Sequence, residues 1–307
     1  MKQLRNITLA AAALLTVLLH AQHTPLTTQY MFNGLLINPA YAGSRDALTA
    51  NLTYRQQWVG FEGAPTTQIL SVHSPVNGKH IGLGLMVYND RIGVSRETGV
   101  MTNYAYRLRL GEGKLALGLG AGLKVLQADW TNVRTTTTGD AQFATDSRGV
   151  VKPNFSAGAY YYNKRWFAGL SIPFMLSQGY NAEAGNWEVK NNARQYQPML
   201  TAGMLVDLDH DLKLKPAVLL RKAGTNPVQA DLNMNMIWRD SFWLGVSYRT
   251  SDAVCLSVEV LPTKQFRIGY AYDLGINALR TYHQGSHEVM LQYEFGYHVK
   301  AKDPRYF

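Results

Sequence analysis

The sequence predicts an all-β protein: a transmembrane, antiparallel, up-and-down β-barrel of about fourteen strands, preceded by an N-terminal plug or docking segment. Three observations predict it. Segments of roughly ten residues alternate in polarity from Asp46 onward. The connections between them are sorted by parity, all tight after even strands, with the long ones confined to odd strands. Aromatic residues collect at strand ends that this numbering places at one edge of a bilayer.

The chain of 307 residues opens with MKQLRNITLAAAALLTVLLHAQ. Lys2 and Arg5 precede an apolar run from about Ile7 to Leu19, and the small Ala21 stands where a signal peptidase would cut. The run is too short for a transmembrane helix, so residues 1–21 read as a signal peptide removed on export. Losing its two cations takes the formal net charge from +9 to about +7. After Ala21 nothing approaches the roughly 18 consecutive apolar residues of a spanning helix. The single cysteine, Cys255, excludes an intramolecular disulfide, and no cysteine at the cleavage site is available for a lipid.

Residues 22–45 come next. Within them QYMFNGLLINPAYAGS, residues 29–44, is too apolar for a surface loop, while Asn38-Pro39 and Gly43 discourage a continuous helix. Met31, Phe32, Leu35, Leu36 and Ile37 need cover. Two placements are open, both on the periplasmic side: a plug folded into the barrel mouth, or a segment that docks on a periplasmic partner.

Strands are expected at about 46–58, 66–74, 80–91, 96–109, 114–128, 153–162, 165–175, 195–206, 211–222, 228–239, 241–250, 253–261, 265–274 and 286–298. In HEVMLQYEFGY, Val289, Leu291, Tyr293, Phe295 and Tyr297 share one face, opposite Glu288, Met290, Gln292, Glu294 and Gly296. QADLNMNMIWR, AVCLSVEVL and QFRIGYAYD alternate in the same way. A helix would scatter these residues around its circumference, whereas a strand separates them. A soluble sandwich alternates too, so the connections decide. After even strands they are PVNGK, GEG, NK, DLDHD, D and PTK; the long ones, 129–152, 175–194 and 275–285, all follow odd strands. A sandwich has no reason to sort loops this way, but an outer-membrane barrel has short periplasmic turns and long extracellular loops. Trp166, Trp238, Phe242, Phe266 and Tyr297 then fall at periplasmic strand ends on the apolar face, as an interfacial belt requires. The barrel is expected to span 46–299, with a periplasmic tail at 300–307.

The phrase QYMFNGLLINPAYAGS, followed by RQQWVGFEGAPTTQILSVHSP and GLGLMVYNDRIGVS, resembles the PorP/SprF family of type IX secretion system membrane proteins. The likeness continues through FAGLSIPFML, LKLKPAVLLRK, FWLGVSYRT and FRIGYAYDLG. The resemblance implies an outer-membrane barrel of Bacteroidota-type bacteria that serves the secretion and gliding apparatus. It implies as partners a secreted substrate with a C-terminal signal domain, adhesin-like in kind, together with the periplasmic ring and OmpA-like components. Its candidate residues are Gln29, Tyr30, Met31, Phe32, Asn33, Asn38, Pro39, Ala40, Tyr41 and Gly43 in the opening motif. Trp58, Gly60 and Phe61 follow at the first extracellular turn. Packing and docking, not chemistry, are their expected roles, and no cofactor or metal is expected. The rival reading is a channel for small solutes gated by residues 29–44 as a hatch.

Other motifs have plainer readings. In LALGLGAGLKV, Gly118, Gly120 and Gly122 alternate with Leu117, Leu119 and Ala121 inside one strand, so they mark a crowded inward face and not a phosphate loop. DLDHD, Asp207 to Asp211, is too short for a calcium loop and reads as a polar hairpin turn. The histidines, including His73, His80, His283, His287 and His298, lack metal-ligand spacing, and no G-x-S-x-G elbow is present. Nucleic acid is not an expected partner, because no Lys/Arg run is interleaved with aromatics. By phase Arg55, Lys124, Lys213, Lys215, Arg221, Arg239, Arg249 and Arg267 face the lumen, as do Asp231, Glu259, Asp273, Glu288 and Glu294. Their near balance of sign is expected to be used in mutual pairing.

Overall fold

The computed structural model describes residues 27–76, 80–133, 145–181, 186–222 and 227–295. The expected signal peptide at 1–21, residues 22–26, the expected tail at 300–307, and Tyr297 and His298 lie outside them. The described residues form β1 (Leu48–Gln56), β2 (Thr66–Val76), β3 (Ile81–Ile92), β4 (Ser95–Leu110), β5 (Gly113–Ala128) and β6 (Ser147–Tyr162). After these come β7 (Trp166–Ile172), β8 (Ser177–Asn181), β9 (Asn186–Lys190), β10 (Met199–Met204), β11 (Val206–Asp207) and β12 (Leu212–Arg221). The last are β13 (Gln229–Trp238), β14 (Phe242–Arg249), β15 (Ala253–Val260), β16 (Phe266–Gly275) and β17 (Ser286–Phe295).

Fourteen staves close into an antiparallel ring: β1 to β7, then β10 and β11 as one stave interrupted at Leu205, then β12 to β17. The ring closes where β1 pairs with β17, Arg55 opposite Glu288 and Leu48 opposite Phe295. On the far side β10 bridges β7 and β12. The ring is closed all the way round, which is what a bilayer demands of β-structure, while residues 147–156 of β6 run past the end of the β6–β7 ladder. β8 and β9 form a separate hairpin within the connection 173–198.

The period of two is what the ring uses. On β17, Val289, Leu291, Tyr293 and Phe295 point outward, while Glu288, Met290, Gln292 and Glu294 are buried inside. Some boundaries differ from expectation for local reasons. β7 stops at Ile172 and β10 starts at Met199 because Pro173 and Pro198 have no N–H for a ladder. β6 begins earlier, at Ser147: β5 runs to Ala128 and templates the added residues across a bulge between Leu126 and Ala128.

The connections 77–80, 111–112, 163–165, 208–211, 239–241 and 261–265 lie at one end, and 57–65, 129–146, 173–198 and 276–285 at the other. The first end is periplasmic and the second extracellular. Asp207–Asp211 lies in a polar turn, where Leu208 N donates to Leu212 O at 2.9 Å and His210 N to Asp209 Oδ1 at 2.7 Å. Trp166 and Trp238 face outward at the periplasmic edge, with Tyr161 4.7 Å from Trp166 and Tyr293 4.7 Å from Phe295.

Candidate functional site

Residues 27–45 lie inside the ring against its inner wall, and all but Met31 are buried. They form three single 3-10 turns, Tyr30–Phe32, Gly34–Leu36 and Pro39–Tyr41. Asn38 starts the last: its Oδ1 accepts from Ala40 N at 2.9 Å, and Pro39 follows at the one position where a missing N–H costs nothing.

The segment descends from the extracellular third of the ring to its periplasmic end. At the top the Glu288 carboxylate accepts from Thr28 N at 2.7 Å and from Gln29 N at 2.8 Å, while Thr28 Oγ1 donates to Asp273 at 2.8 Å. Arg55 spans both acids, at 2.7 Å from Asp273 and 3.1 Å from Glu288. Arg249 binds Asp231 at 3.0 Å. Arg55 stands directly opposite Glu288, and Asp231 directly opposite Arg249, so these pairs also tie neighbouring staves together.

Lower on the same side, Asn233 Nδ2 donates to Tyr30 Oη at 2.6 Å and Ser71 Oγ to Asn33 Oδ1 at 2.7 Å. The Phe32 ring meets Trp243 edge-on with centroids 5.3 Å apart. The Arg267 guanidinium lies 4.6 Å from Phe32 and 4.5 Å from Trp243 while binding Glu259 at 2.7 Å. Lys215 Nζ is 5.6 Å from both rings.

Across the lumen the segment packs closely on glycines of the wall. Ala40 lies on Gly118, where an added Cβ would sit 2.6 Å from the Pro39 carbonyl carbon and nearer still to Ala40. Ala42 lies equally close on Gly82, and the Asn38 side chain on Gly158. Ser171 Oγ donates to Ile37 O at 2.6 Å, and Asn38 Nδ2 to Ala159 O at 3.0 Å. Tyr41 packs edge-on against His73 at 5.4 Å and Tyr160 at 5.5 Å.

At the periplasmic end Gly43 turns the chain with φ +72, a left-handed conformation open to glycine, and its N–H donates to His73 Nδ1 at 3.2 Å. The Gly43 carbonyl accepts from Arg107, which also binds Asp46 at 2.9 Å, and Lys114 reaches Asp46 at 2.8 Å. Arg45 binds Glu294 at 2.7 Å.

The structure thus brings together the ten residues expected in the opening motif. Trp58, Gly60 and Phe61 stand elsewhere, in the extracellular connection 57–65. The Trp58 ring lies 6.5 Å from Phe61 and 6.2 Å from His283. That connection is pinned to 276–285, because Val59 N donates to Gly285 O and Gln284 N to Val59 O, both at 2.8 Å. In the connection 129–146 the backbone N–H and hydroxyl of Thr131 hold the Asp146 carboxyl below its usual range.

One lumen assignment is corrected. Arg239 lies outside the lumen, one residue past the end of β13 in the turn 239–241, with φ +52. There it is exposed, stacks on Trp238 at 4.9 Å and binds Asp211 at 3.1 Å. Sequence reasoning missed Arg45, Arg107 and Glu97. Arg107 and Glu97 were visible in the phase of β4, which buries Met101, Asn103 and Ala105. Among the described residues, no group of three or more His, Cys, Asp or Glu side chains is placed to hold a metal.

Comparison with known proteins places this arrangement. The model of the family described as type IX secretion system membrane protein PorP/SprF matches residues 19–293. No curated protein matches in sequence. Omp33 of Acinetobacter baumannii is a similar solved structure, with TM-score 0.49 and 6% identity over 81% of this chain and 98% of that one. The toluene transporter TodX of P. putida gives 0.48 and 11% over 87% and 95%, and a FadL homologue of Pseudomonas aeruginosa 0.46 and 11% over 89% and 95%. A family match over most of the chain, on a closed ring with an apolar outer girdle, establishes an outer-membrane barrel that belongs to the PorP/SprF family of type IX secretion system membrane proteins.

Proposed function

We propose that this barrel is a closed, non-enzymatic component of the type IX secretion and gliding machinery that supports export or surface attachment of large, adhesin-like substrates. In this reading residues 27–45 are a plug, and the opening motif from Gln29 to Gly43 holds it in place. Docking takes place at the two mouths. Trp58, Gly60 and Phe61 meet the C-terminal signal domain of the substrate outside, and the periplasmic turns meet ring and OmpA-like components. The observation that carries the reading is the burial of residues 27–45 within the ring, with wall contacts running from Thr28 to Asp46. A barrel occupied in this way holds its cargo and does not conduct it.

A second reading, a small-solute channel with the same segment as hatch, is favoured by one feature. A cavity of about 30 Å³ lies between segment and wall, lined by Tyr30, Met31, Ile37, Tyr41, Tyr160 and Phe167 among others. Planar-bilayer recording separates the two. The first reading expects a silent native protein and a conducting variant lacking residues 28–44; steady conductance from the native protein overturns it. The docking part is tested by Trp58→Ala with Phe61→Ala, which should lower surface attachment of substrate while the barrel stays heat-modifiable. Unchanged attachment would remove the extracellular surface from the account.

A further inference from the structure

The outer face of the ring changes character in rows. Across β2, β3, β4 and β5 the ladders align Leu70, Val87, Val100 and Leu123 in one outward row. One pair of residues closer to the extracellular end, the row is Gln68, Asn89, Thr98 and Val125. The next is Thr66, Arg91, Arg96 and Gln127. Hydrocarbon-facing side chains thus give way to amides and hydroxyls, with Asn89 Nδ2 donating to Thr98 Oγ1 at 2.6 Å, and then to two guanidinium groups. Four residues of tilted strand put those cations about 10 Å above the apolar row, in the headgroup layer of the outer leaflet.

Arg91 and Arg96 are paired directly across β3 and β4, and both are exposed on the outward face. Like charges placed opposite one another in a sheet repel. No acid occupies any of the three rows. Neither guanidinium has a hydrogen bond or ion pair among the described residues. The interior acids Asp90 and Glu97 point the other way, where Glu97 binds Lys124 at 2.7 Å and Thr67 donates to Asp90. The extracellular connection beside the pair is only residues 93–94, so nothing folds over it from β3 and β4.

The geometry points to a binding site for the phosphate of an outer-leaflet lipid, with the Arg91 and Arg96 guanidinium groups forking the phosphate between them. Gln127 and Thr66 flank the headgroup, and Leu70, Val100 and Leu123 receive the acyl chains. An anion there removes the repulsion between the two cations, and planar guanidinium forks suit phosphate oxygens. Such a lipid would belt the β2–β5 side of the ring and fix its height in the bilayer.

The test uses the full mature protein in detergent, titrated with monophosphoryl lipid A and read by native mass spectrometry. Each cation near a lipid phosphate contributes on the order of one kcal/mol, so Arg91→Gln with Arg96→Gln should weaken retention about 30-fold. Arg91→Lys with Arg96→Lys should keep most of it, and Arg239→Gln, at the periplasmic turn, all of it. Fully dephosphorylated lipid A should bind the native protein as weakly as phosphorylated lipid binds the glutamine variant. Equal retention by native and double-glutamine proteins overturns the site. Competition by inorganic phosphate at concentrations equal to the lipid would show an anion site that does not select lipid, and so overturn the inference as stated.

Discussion

Residues 28–33 and residues 34–43 are neighbours in one buried segment, yet they meet the barrel by different physics. The first stretch is held by directional bonds: two backbone N–H groups on Glu288, a hydroxyl on Asp273, and Arg55 clamping both acids. The second is seated chiefly by missing side chains, with Ala40 and Ala42 laid directly on Gly118 and Gly82, and its hydrogen bonds to Ser171, Ala159 and His73 are to neutral groups. The difference teaches which changes each half tolerates. A charged wall tolerates small shifts in shape but not the loss of one partner, since an unpaired buried charge is costly. A glycine wall is indifferent to charge and intolerant of a single carbon, because backbone on the far side has nowhere to go.

The largest effect is expected on the glycine side. Gly118→Leu should displace residues 34–43 altogether. In a Cys255→Ser background, a cysteine introduced at Ala40 should resist maleimide with glycine at 118 and be labelled with leucine there. Continued protection would mean that close packing is not what seats this half. Next comes the charged side. Arg55→Ala strands the buried Glu288 carboxylate and leaves Asp273 to Arg249 alone, at 3.5 Å, so it should cost about 3–5 kcal/mol in urea unfolding, and adding Glu288→Ala should restore part of it. A loss below about 1 kcal/mol would mean that water already solvates the network. Phe32 lies where the two halves join. Phe32→Ala should cost about 3 kcal/mol, since its ring fills the space between Trp243 and Arg267. The smallest effect belongs to Asp46, which is half-buried at the periplasmic end. Asp46→Asn should cost about 1 kcal/mol or less, and added salt should shrink the difference.

The two halves also differ in how far their sequence betrays them. Alternating Gly118, Gly120 and Gly122 announce a crowded inner face, and Gly118 is where Ala40 lies. The charges announce only their side. Alternation puts Arg55, Asp273 and Glu288 in the lumen, but their meeting depends on ring closure between β1 and β17, residues more than 200 apart. Register across a closed ring is a property of the whole sheet and leaves no local trace. Arg239 failed as a lumen residue for a local reason: alternation was carried one residue beyond β13, into a turn with positive φ. Arg107 was legible in the phase of β4 and was overlooked. The hairpin β8–β9 was not read either, because short strands in a long connection carry too few alternations to stand out.

The central claim is that residues 27–45 lie within the ring, and one covalent measurement tests it most directly. Asn33 Oδ1 and Ser71 Oγ are 2.7 Å apart across the segment–wall contact. Asn33→Cys with Ser71→Cys, in a Cys255→Ser background and in intact outer membranes, should form a disulfide without added oxidant and shift the unreduced band. Two free thiols that both react with a bulky, membrane-impermeant maleimide would place the segment outside the barrel and contradict the account.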